Sequence, residues 1–407
     1  DDNFSTVEDF QATVGRFGEA VNVTELNPEL SGPGELWAIA TGKKPGYFYP
    51  SVGQPNFTQL EERLRDLEVG RLAHPEYFSC LTFPRGMAAI NAVLKGLSSD
   101  SEGVFIHGDV MYPSTKELLA ELKGYRGKGL GRCRIGTEPG FEVNLNDLEF
   151  LELLIEGLKT DGTPVLGVIF EPVANPTIDY TDTRAVAEVA HRHGVPVIVD
   201  NTFLTPYLME PFRMGADIVV HSLTKYFSGE GDILGGAVIM PNEFKQVISD
   251  VRKHEGLTSS PLDSYRLAQR VGGVGQRMKT HCRNARLLAT NLEQIDGIGV
   301  SYNHLPGITR EGHAGGVLSF VFDGNNREAH ERAIRFTNYL SDHKGVVKHA
   351  VSLAEPQTLV IPWGGHIPLD KMAEYNLPAG LVRVACGREK EYGKVIDYIK
   401  EGIQKSL

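Results

Sequence analysis

Lys225 and Asp200 are the residues whose types and positions most directly indicate chemistry in this sequence. Asp200 follows the apolar run "VPVIV", and Lys225 follows the apolar run "ADIVV" and the small polar residues of "HSLTK". A lysine in a crevice can act as a Schiff-base nucleophile, because burial lowers its pKa and frees the amine. An acid that faces it could hold the N–H of a pyridinium ring, which keeps the ring an electron sink.

The sequence also contains groups that could bind a phosphate attached to such a ring and an aromatic residue that could stack on the ring. A phosphate binds backbone N–H groups at a helix start, together with hydroxyls. The segment "RGMAAINAVLKGL" supplies such a start at Gly86 and Met87, and Ser222 and Thr224 supply hydroxyls. Tyr112 is an aromatic residue that could cover the ring. These are the parts of a pyridoxal-phosphate site.

Apolar strands that alternate with helices must position these side chains. Runs such as "PVLGVIFEP", "VPVIVD" and "ADIVVHS" predict strands, and "TRAVAEVAHRHG" predicts a helix. Continuously apolar strands between helices favour an α/β fold with a mostly parallel sheet that is covered on both faces. Ligands of such sheets bind beyond the carboxyl ends of the strands, where Asp109, Glu171 and Asn175 also lie. If the strands are neighbours, these groups meet at one crevice.

The pattern divides the chain into three parts. We interpret residues 1–55, rich in Gly, Pro and Asn, as an extended N-terminal arm. Residues 56–245 are predicted to form the large ligand-binding domain, and residues 246–407 a smaller C-terminal α+β domain. The segment "NFTQLEERLRDLE" predicts a helix that begins with a capping box at Asn56 and Gln59.

Composition and charge exclude several classes of function. The net charge of −11 argues against a nucleic-acid or anionic-membrane partner, because both usually bind a basic face. No apolar run approaches the ~20 residues of a membrane span. The cysteines form no CxxC pair, so neither a zinc site nor a disulfide framework is predicted; they are Cys80, Cys133, Cys282 and Cys386. We expect a reduced, cytoplasmic setting and no metal.

Several segments resemble one enzyme family, in the same order along the chain. They are "YPSVGQPN", "RGMAAI", "GDVMYPST", "EPVANP", "VDNTF", "HSLTKYFSGEGDILGGAVI", "VSLAEPQTL" and "LVRVACG". Together they resemble the cystathionine γ-synthase family, the Cys/Met-metabolism enzymes of pyridoxal-phosphate fold type I. The resemblance spans nearly the whole chain. It implies that fold, with a mostly parallel central sheet flanked by helices, and pyridoxal 5'-phosphate as the cofactor.

The resemblance also implies a role for each matching residue. Lys225 would carry the cofactor as a Schiff base and move protons, Asp200 would pair with the ring nitrogen, and Tyr112 would stack on the ring. Arg383 would bind the substrate carboxylate bidentately, with help from Ser352. The remaining positions implied to bind the cofactor are Tyr49, Gly86, Met87, Asn175, Thr202, Ser222 and Thr224, and Asn175 would also border the substrate. Tyr49 would reach the phosphate of a neighbouring subunit, which implies a dimer or a dimer of dimers with shared sites.

The sequence departs from the family at the arm and around the substrate. The family usually has Tyr-x-Arg in the arm, whereas this chain has Tyr49-Pro50-Ser51. This chain also has an arginine at position 85, which is unusual in the family. Our hypothesis is that Arg85 replaces the lost phosphate cation. Val351 stands where relatives that handle cystathionine carry glutamate, which suggests that no distal amino group is recognised. Pro113-Ser114 and the segment around Trp363 are further departures.

These observations predict an enzyme that acts on an L-amino acid with a leaving group at Cγ. We favour γ-substitution on an activated homoserine, such as O-acetyl- or O-succinyl-homoserine, by a thiol or a carbon nucleophile. The alternative enzyme is a methionine γ-lyase-like or cystathionine lyase-like protein that eliminates at a C–S bond and releases a 2-keto acid and ammonia. A non-catalytic relative is disfavoured because Lys225, Asp200, Tyr112 and Arg383 are all present.

Overall fold

The structure is a computed structural model, and it describes residues 7–23, 31–40, 43–47, 49, 53–99, 102–122, 125–126, 132–133 and 142–407. Its strands are β1 (Phe78–Phe83), β2 (Val104–Gly108), β3 (Tyr125–Arg126), β4 (Arg132–Cys133), β5 (Glu142–Val143), β6 (Val165–Phe170), β7 (Val197–Asp200), β8 (Ile218–Ser222), β9 (Gly236–Pro241), β10 (Ile298–Ser301), β11 (Val317–Phe322), β12 (Lys348–His349), β13 (Leu359–Pro362) and β14 (Leu381–Ala385). Its helices are α1 (Val7–Gly15), α2 (Glu35–Ala40), α3 (Pro55–Val69), α4 (Gly86–Leu97), α5 (Pro113–Glu121), α6 (Leu148–Thr160), α7 (Thr183–Arg192), α8 (Thr205–Leu208), α9 (Asn242–His254), α10 (Pro261–Arg270), α11 (Val274–Leu292), α12 (Asn326–Asp342), α13 (Trp363–His366), α14 (Leu369–Glu374) and α15 (Tyr392–Gln404).

The larger sheet has seven strands in the order β1-β9-β8-β7-β6-β2-β5. The strands from β8 to β5 in this order run parallel, whereas β9 is antiparallel to both β1 and β8. The predicted α/β fold with a mostly parallel sheet is therefore confirmed.

Helices cover both faces of this sheet, which explains why its strands are continuously apolar. Successive side chains of a strand point to opposite faces. In β7, Val197 and Val199 join the hydrophobic cluster that contains α6 and α7, whereas Ile198 joins the cluster that contains α4. All three side chains are fully buried. Each residue of the run thus has its own apolar partner, as in sheets with two covered faces.

The smaller sheet has five strands in the order β10-β11-β14-β13-β12. It packs against α11, α12 and α15 through one hydrophobic cluster. Within this sheet, β11 and β14 are antiparallel neighbours and pair Ser319 with Arg383. The two sheets lie on opposite sides of residue 245 in the chain, and the division at residues 55 and 245 stays a prediction.

The predicted arm contains two short helices, α1 and α2. Phe10 of α1 is fully buried and meets Tyr207 edge-on, with 5.3 Å between the ring centroids. Among the described residues, no helix has both the length and the apolar character needed to cross a membrane.

The predicted capping box at Asn56 is wrong. The N-cap of α3 is Gln54, whose side chain accepts a hydrogen bond from the Asn56 N–H over 3.0 Å. The Asn56 side chain instead accepts from the Val23 N–H over 2.9 Å and donates to the Pro261 carbonyl over 3.0 Å. Asn56 therefore joins the arm to α10, and partners 33 and 205 residues away occupy the groups that a cap would use.

Candidate active site

The carboxyl ends of β2, β6, β7 and β8 share one edge of the larger sheet, because these strands are parallel neighbours. Asp200 ends β7 and Ser222 ends β8. Glu171 follows β6 directly, and Tyr112 lies in the loop between β2 and α5. The expectation that these strands are neighbours is confirmed, and their terminal polar groups face one region.

Lys225 lies in the turn after β8 and contacts Ser352, which lies between β12 and β13 of the smaller sheet. Its Nζ donates a hydrogen bond to Ser352 Oγ over 3.1 Å, across 127 residues of sequence. Burial lowers the pKa of Lys225, and the charge of the nearby Arg383 lowers it further. A lower pKa leaves more of the amine neutral, which is the form that attacks a carbonyl carbon.

Asp200 is held at the end of β7 by its neighbour Thr202. Its Oδ1 accepts hydrogen bonds from the Thr202 N–H over 3.0 Å and from the Thr202 hydroxyl over 2.5 Å. The same hydroxyl accepts from the Ser222 N–H over 2.8 Å, so Thr202 also joins the ends of β7 and β8. Burial raises the pKa of Asp200, whereas the Thr202 bonds and His221 oppose that rise. A cationic ring nitrogen beside this carboxylate would favour its ionised form.

The start of α4 packs directly against the end of β8. Gly86 is the first residue of this 12-residue helix, and a Cβ on it would lie 2.9 Å from Ser222 Cβ. Glycine at position 86 therefore allows the approach, and the Gly86 and Met87 N–H groups belong to the first turn, where no intrahelical acceptor is available. The Thr224 hydroxyl accepts a hydrogen bond from the Gly235 N–H over 3.0 Å. Arg85, the N-cap residue, is exposed.

Arg383 is buried beneath the site, with 2% of its surface exposed. Its Nη1 donates to Asn175 Oδ1 over 2.8 Å, and its Nη2 donates to the carbonyls of Val351 and Ser352 over 2.6 and 2.8 Å. Its Nε is buried and has no hydrogen-bond partner within the described part of the chain. Burial lowers the pKa of Arg383 to about 10, so the guanidinium stays charged near neutral pH.

The two predicted tyrosines differ in their surroundings. Tyr112 is 44% exposed and lies at the edge of the crevice, directly before α5. Tyr49 lies on the arm and is 54% exposed. No contact joins Tyr49 to Lys225 among the described residues, and its predicted reach into a neighbouring subunit stays a prediction. Ser51, the position of the missing arm arginine, lies outside the described residues.

Sequence reasoning placed Glu171 at this edge of the sheet and assigned it no role. Its two carboxylate oxygens accept hydrogen bonds from the backbone N–H groups of Tyr112 and Asn175, over 2.7 and 3.0 Å. Burial raises the pKa of Glu171 to about 8, and the neighbouring Asp200 contributes to the rise. The sequence showed only that Glu171 is an acid at the end of a strand. Its two backbone partners lie 59 and 4 residues away in the sequence, and no sequence pattern indicates these contacts.

Residues 34–404 match the family described as Cys/Met metabolism PLP-dependent enzymes. The chain belongs to this family. Its members include L-methionine γ-lyase from Pseudomonas putida, which is 30% identical to this chain over 91% of its length and 87% of the relative's. They also include cystathionine γ-lyase from Bacillus subtilis, which is 29% identical over 87% of this chain and 89% of the relative.

Two solved structures have the same fold as this family member. Cystathionine γ-synthase from Xanthomonas oryzae pv. oryzae, in complex with cystathionine, has a TM-score of 0.79 and 24% identity over 98% of both chains. A putative O-acetylhomoserine (thiol)-lyase from Campylobacter jejuni, solved with pyridoxyl-lysine phosphate, has a TM-score of 0.79 and 22% identity over 98% of this chain and 100% of that one.

This Cys/Met metabolism enzyme uses pyridoxal 5'-phosphate, and the residues at the sheet edge fit that cofactor. The lowered pKa of Lys225 suits attachment of an aldehyde, and the hydrogen bonds that Asp200 accepts from described residues fall on one oxygen, Oδ1. The start of α4 beside Ser222 offers N–H groups and a hydroxyl to a phosphate. The unpartnered Nε of Arg383 suits a carboxylate ligand.

Proposed function

We propose that this enzyme catalyses γ-substitution on an activated L-homoserine, such as O-acetyl- or O-succinyl-homoserine, with a thiol or a carbon nucleophile. The observation that carries the proposal is that Arg383 and Lys225 meet at Ser352, the first through the backbone carbonyl and the second through the hydroxyl. A carboxylate bound to Arg383 therefore belongs to a molecule whose α-carbon lies near the Lys225 amine. An α-amino acid has this arrangement of groups.

Each site residue has a distinct part in the proposed reaction. Bound pyridoxal phosphate supplies an electron-accepting ring that acidifies the α- and β-protons of an attached amino acid. Lys225, with its lowered pKa, takes and returns those protons. Asp200 would accept the N–H of the ring nitrogen, and Tyr112 would cover the ring face. Arg383 and Ser352 bind the carboxylate and so fix which substrate bonds face Lys225.

The apolar side chain of Val351 supports a substrate without a distal ammonium group. Val351 is 64% exposed, and its carbonyl accepts a hydrogen bond from Arg383, so it borders the carboxylate site. An apolar side chain there offers no charge for a distal ammonium group. Acetyl and succinyl esters of homoserine carry no such ammonium group.

Elimination at a C–S bond is the second candidate. It is favoured by the relatives, which include L-methionine γ-lyase from Porphyromonas gingivalis, 31% identical over 90% of this chain and 87% of the relative. Methionine also ends in an uncharged group, so Val351 is compatible with both reactions. The two reactions differ in whether a nucleophile adds at Cγ after the γ-substituent leaves.

A product analysis distinguishes the two candidates. The purified enzyme, loaded with cofactor, is incubated with O-acetylhomoserine or O-succinylhomoserine, with and without a thiol such as cysteine, and separately with methionine and with cystathionine. A new thioether detected by mass spectrometry supports γ-substitution. 2-Ketobutyrate and ammonia from methionine, with no thioether from either ester, support elimination. Neither product from any substrate would reject elimination and γ-substitution by a thiol.

We also propose that Arg85 contributes a cation to the phosphate site. It precedes the first turn of α4, its side chain is exposed, and residues 50–55, which follow Tyr49 in the arm, include no arginine. Arg85→Ala should weaken binding of pyridoxal phosphate to the apoenzyme by about tenfold, the value of one charge-assisted contact. Lys95→Ala, near the other end of the same helix, is the control. Equal affinities of Arg85→Ala and wild type would end the idea.

Three broader expectations remain proposals. We propose a homodimer or a dimer of dimers in which Tyr49 of one subunit completes the site of the next; sedimentation analysis and mixing of Tyr49→Ala with Lys225→Ala subunits would test it.

We propose that the chain divides at residues 55 and 245. We propose a reducing, cytoplasmic setting, which the buried free thiols of Cys80, Cys282 and Cys386 support.

A further inference from the structure

Glu171 bridges two loops that carry different parts of the site. Its Oε1 accepts a hydrogen bond from the Tyr112 N–H over 2.7 Å, at the start of α5. Its Oε2 accepts from the Asn175 N–H over 3.0 Å, in the loop after β6. The side chain is buried, with 7% of the residue exposed. One carboxylate therefore fixes the distance between the backbone of the ring-covering tyrosine and the backbone of Asn175.

The contact continues from Asn175 to the carboxylate-binding arginine. Asn175 Oδ1 accepts the hydrogen bond from Arg383 Nη1 over 2.8 Å. Arg383 in turn donates to the Ser352 carbonyl, and Ser352 Oγ accepts from Lys225. A single chain of hydrogen bonds thus runs from Tyr112 through Glu171 and Asn175 to Arg383. Buried networks of this kind hold their members in one arrangement when every member is bonded.

We propose that Glu171 is a positioning residue that sets the ring-covering tyrosine and the carboxylate-binding arginine as one unit. The inference rests on the proposed roles of Tyr112, Asn175 and Arg383, and it does not depend on which reaction follows. Glu171 touches neither ring nor substrate in this account; it acts through the two backbone N–H groups that it accepts.

The carboxylate is needed because both backbone partners are donors. Glutamine in place of Glu171 has one acceptor oxygen and one NH2 group, so one of the two N–H groups would face a donor. Aspartate keeps the charge but is shorter by one methylene, so it cannot reach both partners at these distances. Comparison of the two variants separates the need for a bridge from the need for a buried charge.

The test measures ligand binding, so it is independent of turnover, and it is run at about pH 9, where Glu171, whose pKa is raised to about 8, is ionised and both of its oxygens accept. Pyridoxal phosphate is titrated into the apoenzyme, and L-norleucine, which has no leaving group, is titrated into the loaded enzyme while the visible absorbance is followed. Glu61→Gln is the control, because Glu61 also accepts a backbone N–H, that of Thr82, over 2.9 Å, pairs with Arg252, and is joined by no hydrogen bond to the site residues within the described part of the chain. Thermal midpoints are measured for every variant.

We expect Glu171→Gln to raise the dissociation constants of both ligands about tenfold, the effect of one lost hydrogen bond to a charged group. Glu171→Asp should recover less than half of that change on a logarithmic scale. Glu61→Gln should lower the thermal midpoint comparably and leave both constants within about twofold. In an Arg383→Lys background, Glu171→Gln should change the dissociation constant of L-norleucine by less than about twofold. The reason is that both residues act on the same contact, the one between residue 383 and the ligand's carboxylate.

Three results would overturn the proposal. One is binding of both ligands to Glu171→Gln with wild-type affinity. Another is full recovery by Glu171→Asp, which would mean that only a buried charge matters. The third is additivity of Glu171→Gln with Arg383→Lys. If Glu171→Gln does not fold, Glu171→Asp alone decides: wild-type binding by it rejects the bridge, and weakened binding of both ligands supports it. Failure of the proposed reaction would appear instead in the product analysis, with these constants unaffected.

Discussion

Replacement of Arg383 should remove the enzyme's preference for amino acids over amines. The guanidinium has five N–H donors, of which Asn175, Val351 and Ser352 accept three. The Nε–H is buried without a partner in the described residues, so at least this donor and one further N–H remain for a ligand. A carboxylate can accept the Nε–H directly, and it reaches the bidentate geometry that guanidinium groups favour by also taking an Nη2–H, which it must share with or take from the Val351 or Ser352 carbonyl.

The size of the effect follows from these two bonds. A hydrogen bond to a charged group contributes about 1.5–3 kcal/mol, so two contribute about 3–6 kcal/mol. Since about 1.4 kcal/mol corresponds to a factor of ten, the wild type should prefer an amino acid over its decarboxylated amine by about 100- to 10,000-fold. Arg383→Ala should reduce the preference to less than about tenfold. Arg383→Lys, which keeps a charge but not the planar fork, should be intermediate.

The assay compares L-norleucine with 1-aminopentane, which differ only in the carboxylate. Their dissociation constants are measured from the cofactor's visible absorbance in the wild type and in both variants. Arg310→Lys is the control, because Arg310 is a buried arginine that pairs with Glu210 and donates to the Tyr207 carbonyl. If Arg383→Ala keeps the wild-type preference while it remains folded and loaded, the assignment of Arg383 as the carboxylate-binding residue is refuted.

Further predictions concern the cofactor and its carboxylates. Borohydride reduction should add the mass of one reduced pyridoxal phosphate to the wild type and none to Lys225→Ala; a labelled peptide elsewhere in that variant would contradict the attachment site. Asp200→Asn should keep the cofactor but lose at least about 100-fold in kcat, because an amide cannot stabilise the ring-nitrogen charge; a kcat within threefold of wild type would contradict this role. Burial raises the pKa of Glu171 to about 8 and raises that of Asp200, so the folded apoenzyme binds protons that the unfolded chain has released. Its free energy of unfolding should therefore fall as pH rises from about 5 to about 8, and fall less steeply in Glu171→Gln; guanidinium unfolding at several pH values measures both slopes, and parallel slopes would contradict the shift.

The sheet and the residues at its strand ends could be predicted because their signals are local. The apolar run of β7 and its terminal Asp200 are contiguous in sequence, as are β8 and Ser222. The helix start at Gly86 is equally local, since it opens α4, whereas the need for glycine there comes from the close approach of Ser222. The helix start at Asn56 was mispredicted because its polar partners, Val23 and Pro261, come from distant segments. A side chain with the right spacing for a cap does not cap the helix when it hydrogen-bonds to tertiary partners instead.

The sequence by itself determined the fold class, the cofactor and the order of the chemical groups along the chain, because each of these is encoded in short runs whose pattern needs no distant partner. Only the tertiary structure decided which groups touch. Arg383 meets Asn175 across 208 residues, Lys225 meets Ser352 across 127, and Glu171 meets Tyr112 across 59. Hydrogen bonds require their atoms within about 3 Å. That proximity arises from the packing of the two sheets for the first two pairs and from the pairing of β2 with β6 for the third, and no local pattern specifies either.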